Sequence, residues 1–336
     1  MLSKNIKFKN FNHKPINKKL NKYFSEILNK DDEILKSLTP NYKYQYSKKL
    51  IKKFKKNKVL KIIGMGGSIL GIQAIHDYLR YKIKKELFFF DNIETNLKKK
   101  KKGTNLIISK SGNTLETIVN SNIIIKKNEK NIFITESRES YLRLLALKIK
   151  AEIINHNNFI GGRYSVLSEV GMLPAELMGL DASKFKQLNN LIKNKNFINS
   201  LITNVSSTLS FIKNKKFNSI ILNYDSSANN LFSWYQQLIA ESLGKKGKGI
   251  LPIISSMPKD NHSLMQLYLD GPKNNFFTFF YTKEKNNLKL NNNKIFKSHN
   301  YLKNKTVDEI KFSQKIATEN IFLKKKIPFR SFEIIH

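Results

Sequence analysis

From Val59 onward, short unbroken apolar runs alternate with amphipathic stretches. Val59–Ile63, Glu86–Asp91 (with Phe88, Phe89 and Phe90), Asn105–Ser109, Ile132–Thr135 and Glu152–Asn155 read as strands. Between them the pattern predicts helices from Ser68 to about Tyr81, from Thr114 to Lys126 and from about Glu139 to Lys148. Strands that lack polar alternation are buried on both faces, which argues for a parallel sheet covered by helices on each side. From Gly161 to about Asn214 the alternation pauses in a loop and helices. It resumes with a strand at Ser219–Tyr224, a helix at Ala228–Leu243, strands at Ile250–Ile254 and Phe276–Tyr281, a helix at about Val307–Lys324 and a closing strand at Phe329–Ile335.

Residues 1–57 read as a helical lead-in, with Leu20, Phe24, Ile27 and Leu28 at helical spacing. The lysine- and asparagine-rich stretch Lys283–Lys305 reads as a surface loop. The expected class is therefore α/β, with two tandem doubly wound parallel-sheet domains, each of three αβα layers. Residues 58–160 form the first domain, 161–215 a connection and 216–336 the second. Ligands of such sheets gather at the carboxyl ends of the strands.

A chain of 336 residues, 40% of them hydrophobic, suffices for two cores. It has no cysteine, which excludes disulfides, thiolate metal sites and thiol nucleophiles, and which fits a reducing cytosol. No apolar run approaches the roughly 20 residues needed to span a bilayer. Met1–Lys9 lacks the apolar core and cleavage site of a signal peptide, so a cytoplasmic chain is expected. The net charge of +36 invites a nucleic-acid reading. Against it, arginine occurs only at Arg80, Arg138, Arg143, Arg163 and Arg330, while the lysines are spread along the whole chain with Asn, Ile and Phe. A solvated, compositionally biased surface fits better than a specific nucleic-acid footprint, and weak polyanion binding that falls with salt is expected.

Two turns carry phosphate-binding logic. Gly64-Met65-Gly66-Gly67-Ser68 leaves a strand and opens a helix, where free N–H groups and close backbone approach suit an anion. It lacks the full spacing of a dinucleotide fingerprint. Ser109-Lys110-Ser111-Gly112-Asn113-Thr114 gathers hydroxyls, one lysine and free amides at the next such junction. A polar N-cap for the helix beginning at Thr114 is the alternative.

At these turns the chain resembles the sugar isomerase (SIS) domain family. Three further segments resemble glucose-6-phosphate isomerases in particular. They are Gly161-Gly162-Arg163-Tyr164-Ser165-Val166-Leu167-Ser168; Glu241-Ser242-Leu243-Gly244-Lys245 after Trp234-Tyr235-Gln236-Gln237; and Asn261-His262-Ser263, continuing to Gln266 and Asp270-Gly271-Pro272. The resemblance covers about residues 55–335 and is to the short bacterial form. It implies SIS-type domains and interconversion of glucose 6-phosphate and fructose 6-phosphate, with no metal and no redox cofactor. It further implies that Glu241 moves the proton between C1 and C2, that Arg163 stabilises the enediolate and that His262 assists ring opening from the partner subunit of a homodimer. Gly67, Ser68, Ser109, Lys110, Ser111, Thr114 and Gln237 would bind the substrate.

Read from the residues alone, Glu241 is equally an exposed acid, His262 a capping or core histidine and Arg163 a salt-bridged loop arginine. His76, His156 and His299 have no motif around them and read as structural. The family normally ends in a helix bearing a Q-P-G-V-E-like run and a catalytic lysine. This chain stops at Ile334-Ile335-His336, so the resemblance makes it C-terminally incomplete. The alternatives in view are a catalytically incomplete or non-catalytic sugar-phosphate-binding SIS protein, and an isomerase that also accepts phosphomannose.

Overall fold

The computed structural model describes residues 5–11, 18–93, 101–283 and 288–335. Parts of the expected lead-in (residues 1–4 and 12–17) and of the expected 283–305 loop (residues 284–287) lie outside them. The ten strands are β1 (Ile6–Lys9), β2 (Val59–Ile63), β3 (Glu86–Phe90), β4 (Thr104–Ile108), β5 (Lys130–Thr135), β6 (Glu152–Asn155), β7 (Asn218–Asn223), β8 (Leu251–Ser256), β9 (Asn275–Lys283) and β10 (Phe329–Ile335). They form two sheets, ordered β3-β2-β4-β5-β6 and β1-β10-β9-β7-β8. The first is parallel throughout; the second is parallel except for β1, which pairs antiparallel with β10. The chain divides into two compact units, one of residues 27–191 with 230–241, the other of residues 1–26, 192–229 and 242–336.

Alternation along each strand of the first sheet feeds two cores. Leu60, Ile62, Leu106, Ile108, Ile132 and Ile134 pack on one face with Ile72, Leu173 and Leu177 from the helices Leu70–Tyr78 and Glu169–Met178. Ile63, Ile107 and Phe133 pack on the other with Ile124, Leu142 and Ala146 from Leu115–Ile124 and Tyr141–Lys148. Burying both faces removes any reason for polar alternation, so these strands read as continuous apolar runs. The second sheet repeats the logic. Phe277 and Phe279 join Phe322 and Phe329 on one side, and Phe276 meets Phe11 and Phe211 on the other.

The lead-in departs from an all-helical reading. Ile6 and Phe8 alternate with Lys7 and Lys9, a period of two that suits a strand half-covered on one face. The Phe8 ring lies 4.5 Å from that of Phe332 on β10, so this short lysine-bearing strand closes the sheet's edge.

His156 follows β6 and is held by its own N–H on the Thr135 carbonyl at 2.9 Å. Its ring is buried, and burial, followed by the nearby Lys110 ammonium, pushes the imidazole down to about 4. An unfolded histidine titrates near 6.5. The folded state therefore binds fewer protons between these values, and stability present above about 6.5 is lost as the pH falls towards 4. The thermal midpoint should drop between about pH 6.5 and about pH 4, and by a smaller amount in His156→Leu. Equal acid slopes in the two proteins would show that His156 does not drive this loss.

Candidate active site

The first sheet reverses direction at β2: the chain runs outward to β3 on one side and then crosses to β4 on the other. Such a switch point opens a crevice beyond the carboxyl ends of the two strands, where ligands of doubly wound sheets bind. The turn after β2 is Gly64–Ser68 and the turn after β4 is Ser109–Thr114, so both glycine-bearing turns flank this crevice. They touch: a Cβ built on Gly64 would lie 3.0 Å from the Ile108 carbonyl oxygen.

In the second turn the hydroxyls of Ser109 and Thr114 are 2.9 Å apart, and Ser109 Oγ accepts the Gly112 N–H at 3.2 Å. Ser111 Oγ accepts the Asn113 N–H at 3.2 Å. Thr114 stands at the N-cap of Leu115–Ile124, but its side chain makes no cap hydrogen bond. The alternative of a polar helix cap is thus not what this turn builds. Lys110 is drawn aside, donating to the Asn158 carbonyl at 2.7 Å and lying 3.4 Å from the Glu136 carboxylate.

On the other flank of Gly64–Ser68 stands the loop Gly161–Ser168. A Cβ on Gly67 would fall 2.2 Å from the carbonyl carbon of Gly162, so the two backbones meet with no room for a side chain. Ser165 Oγ binds both partners, donating towards the carbonyls of Gly162 at 2.7 Å and Gly67 at 3.3 Å. Behind the loop, the buried Lys186 donates to the Leu167 and Ser37 carbonyls, and burial lowers it to about 8. Glu169, fully buried, accepts the Tyr42 hydroxyl at 2.8 Å and the Asn157 N–H at 3.1 Å; burial raises its carboxyl against these bonds.

This packing presents Arg163. Its guanidinium lies over the Tyr164 ring, 4.6 Å from the centroid, and Nη1 reaches Glu241 Oε2 at 3.2 Å. The other carboxylate oxygen of Glu241 accepts Gln237 Nε2 at 2.7 Å, one turn earlier on the helix Asn229–Leu243. Gly66, at φ +52°, sits so close to Gln237 that a Cβ would lie 2.8 Å from Nε2. Trp234 of the same helix donates its indole N–H to the Arg163 carbonyl at 3.3 Å. Gly67, Arg163, Gln237 and Glu241 are thereby gathered at one end of the first sheet, with Ser68, Ser109, Ser111 and Thr114 on its two crevice turns. A half-exposed carboxylate facing a guanidinium can exchange a proton beside a group that stabilises developing negative charge.

His262 belongs to the other unit, exposed at the end of the 3-10 turn Lys259–Asn261. Its turn is organised by Asp260, which the motif reading passed over. Asp260 accepts from Ser255 Oγ at 3.0 Å, the Ser256 N–H at 2.7 Å and Ser263 Oγ at 3.0 Å. Burial alone would raise this carboxyl, but the three donors hold it below its ordinary value. An acidic residue flanked by serines at a strand end was the available signal. Among the described residues no group of three or more His, Asp or Glu side chains could hold a metal ion, and no helix is long and apolar enough to cross a membrane.

Gly67→Ala should lower the thermal midpoint by roughly 5 °C or more, because backbone must move to admit the methyl group. Gly161→Ala, whose Cβ would meet only the Tyr164 ring at an ordinary 3.6 Å, should cost far less. Equal melting of the two variants would contradict the close approach.

A family model described as phosphoglucose isomerase matches residues 35–332. A glucose-6-phosphate isomerase of Methanocaldococcus jannaschii is 37% identical over 247 residues, covering 66% of this chain and 60% of its own length. One from Mycoplasma mycoides is 31% identical over 277 residues, covering 74% of this chain and 64% of its own. The chain thus spans about three fifths to two thirds of the length of these curated relatives. Among solved structures, a hypothetical protein from Thermus thermophilus superposes with a TM-score of 0.74 at 18% identity, covering 94% of this chain and 82% of that one. A glucose-6-phosphate isomerase from Chlamydia trachomatis gives 0.60 at 19% identity, covering 85% and 61%. The folds agree, and the matched family model spans the switch-point turns, Arg163, Glu241 and His262: this chain belongs to the phosphoglucose isomerase family.

Proposed function

We propose that this protein interconverts glucose 6-phosphate and fructose 6-phosphate. The observation that carries the reading is the Arg163–Glu241–Gln237 cluster seated against the Gly64–Ser68 turn at the switch point. The relatives bear this activity in their names. In the proposed reaction the 6-phosphate is taken by Gly67 and Ser68 and by Ser109, Ser111 and Thr114. Lys110 lends positive charge from the side, and Gln237 contacts the sugar. His262, reaching the site from the partner of a homodimer, protonates the ring oxygen as the C1–O bond opens. Glu241 removes the C2 proton, and the electron pair forms the cis-enediolate, whose oxygen charge Arg163 stabilises. Return of that proton to C1 completes the ketose. Hydroxyls and backbone amides bind a phosphate without drawing on redox or metal chemistry. A cytoplasmic location goes with the cysteine-free composition.

The test is conversion of fructose 6-phosphate to glucose 6-phosphate, followed by enzymatic reduction of NADP. Wild type should turn over. Glu241→Gln, which keeps the size of the side chain but cannot carry the proton, should lose roughly 10²–10⁴-fold in kcat with KM nearly unchanged. Turnover unaffected by the substitution would remove Glu241 from the mechanism. No turnover in wild type, with a melting temperature raised by fructose 6-phosphate, would assign a sugar-phosphate-binding protein instead.

A further inference from the structure

The helix that bears Gln237 and Glu241 is unusual in what lies beneath it. Its inward side chains Leu231, Trp234 and Leu238 line an apolar cavity of about 650 Å³, bounded opposite by Ala74 and Tyr78 of Leu70–Tyr78 and by Val166. Side chains over a void forfeit the dispersion contacts that normally fix a helix by close packing. The placement of this helix therefore leans on polar ties. Two lie within the site: Trp234 to the Arg163 carbonyl, and Glu241 to Arg163.

A third lies at the opposite end and belongs to no motif. Asn230, in the helix's first turn, donates to Asp77 Oδ2 at 2.5 Å. The other oxygen of Asp77 is 2.6 Å from His76 Nδ1. The His76 ring is itself set edge-on against Phe89 of β3, with centroids 5.3 Å apart. A chain of contacts thus runs from the sheet through His76 and Asp77 to the foot of the helix. Glu241 stands 11 residues beyond Asn230, about 16 Å along the axis at 1.5 Å per residue. With the foot released, the helix can tilt about its Trp234 contact into the cavity, and the tilt displaces Glu241 against Arg163. A shift of about 1 Å at a reacting group can cost roughly 10²-fold in rate.

We propose that Asp77 is a positioning residue, which by clamping Asn230 fixes the helix that presents Glu241 to Arg163. The kinetic consequence rests on the function proposed above; the structural consequence does not. Trp234 is the sole tryptophan of the chain and lies on this helix, so its fluorescence reports the clamp whether or not the protein turns over. The experiment compares the full chain with Asp77→Ala, Asn230→Ala, their double variant and Asp77→Asn, which keeps a carbonyl acceptor for Asn230. Each alanine variant should raise acrylamide quenching of Trp234 at least about twofold and lower kcat about tenfold or more, with KM for fructose 6-phosphate within about twofold. The double variant should be no worse than the single ones, because both break one contact. Asp77→Asn should recover most of the loss.

Circular dichroism at the assay temperature establishes that each variant is folded. If Asp77→Ala is not, Asn230→Ala, which leaves His76 and Asp77 intact, decides alone. A lowered melting temperature with Trp234 quenching and kcat unchanged would assign Asp77 a merely structural role and overturn the proposal, as would additive losses in the double variant. If wild type proves inactive, the isomerase reading falls and the quenching comparison still decides the clamp.

Discussion

Everything at the candidate site depends on two stretches of backbone that meet without side chains, at Gly67 and Gly162. A methyl group on Gly67 would overlap the Gly162 carbonyl. That approach sets the loop Gly161–Ser168 against the turn after β2, and with it the Arg163 carbonyl that receives Trp234 and the guanidinium that faces Glu241. Keeping the loop there takes groups that burial disfavours. Lys186 and Glu169 sit behind it, each shifted by desolvation towards its neutral form. Their retention makes physical sense because each closes backbone groups that would otherwise be orphaned, a loss of about 1–3 kcal/mol apiece. Lys186 satisfies the Leu167 and Ser37 carbonyls, and Glu169 the Asn157 N–H.

Much of this was legible in the order of residues, and the exceptions have physical causes. The strands from β2 to β10 announced themselves because burial on both faces leaves nothing but apolar side chains. Strand β1 did not, because a four-residue edge strand with lysine at alternate positions looks like the lysine-rich helix that follows it. The turns after β2 and β4 were readable from glycine and hydroxyl content, since backbone approach to an anion leaves few choices of residue. The direction of Lys110 was not readable: a flexible four-carbon side chain goes to whichever acceptors tertiary structure supplies, here Asn158 and Glu136. Gln237 could be placed beside Glu241 by helical periodicity alone, and it is bonded there. Asp77 and Asn230 could not be paired, because polar residues on two helices 153 positions apart resemble any solvated pair until the fold brings them together.

The strength of the Arg163–Glu241 contact bears on how such a site can work. Two carboxylate–cation pairs of this unit differ sharply in burial. Lys61 and Glu129 meet at 2.6 Å with side chains 1% and 2% exposed, whereas Arg163 and Glu241 meet at 3.2 Å with 22% and 48% exposed. Separating a buried pair strands a charge and costs about 3–5 kcal/mol, which would burden any step that required it. An exposed pair is worth only about 0–1 kcal/mol. Glu241 also stands in the last turn of its helix, where the dipole disfavours an anion by about 0.3–1 kcal/mol. Arg163 therefore offsets roughly what the helix end takes away. The carboxylate is left oriented by Gln237 but not locked, so a substrate can enter between acid and cation at little expense. Lys61–Glu129 is suited to holding strands together, and Arg163–Glu241 to being opened.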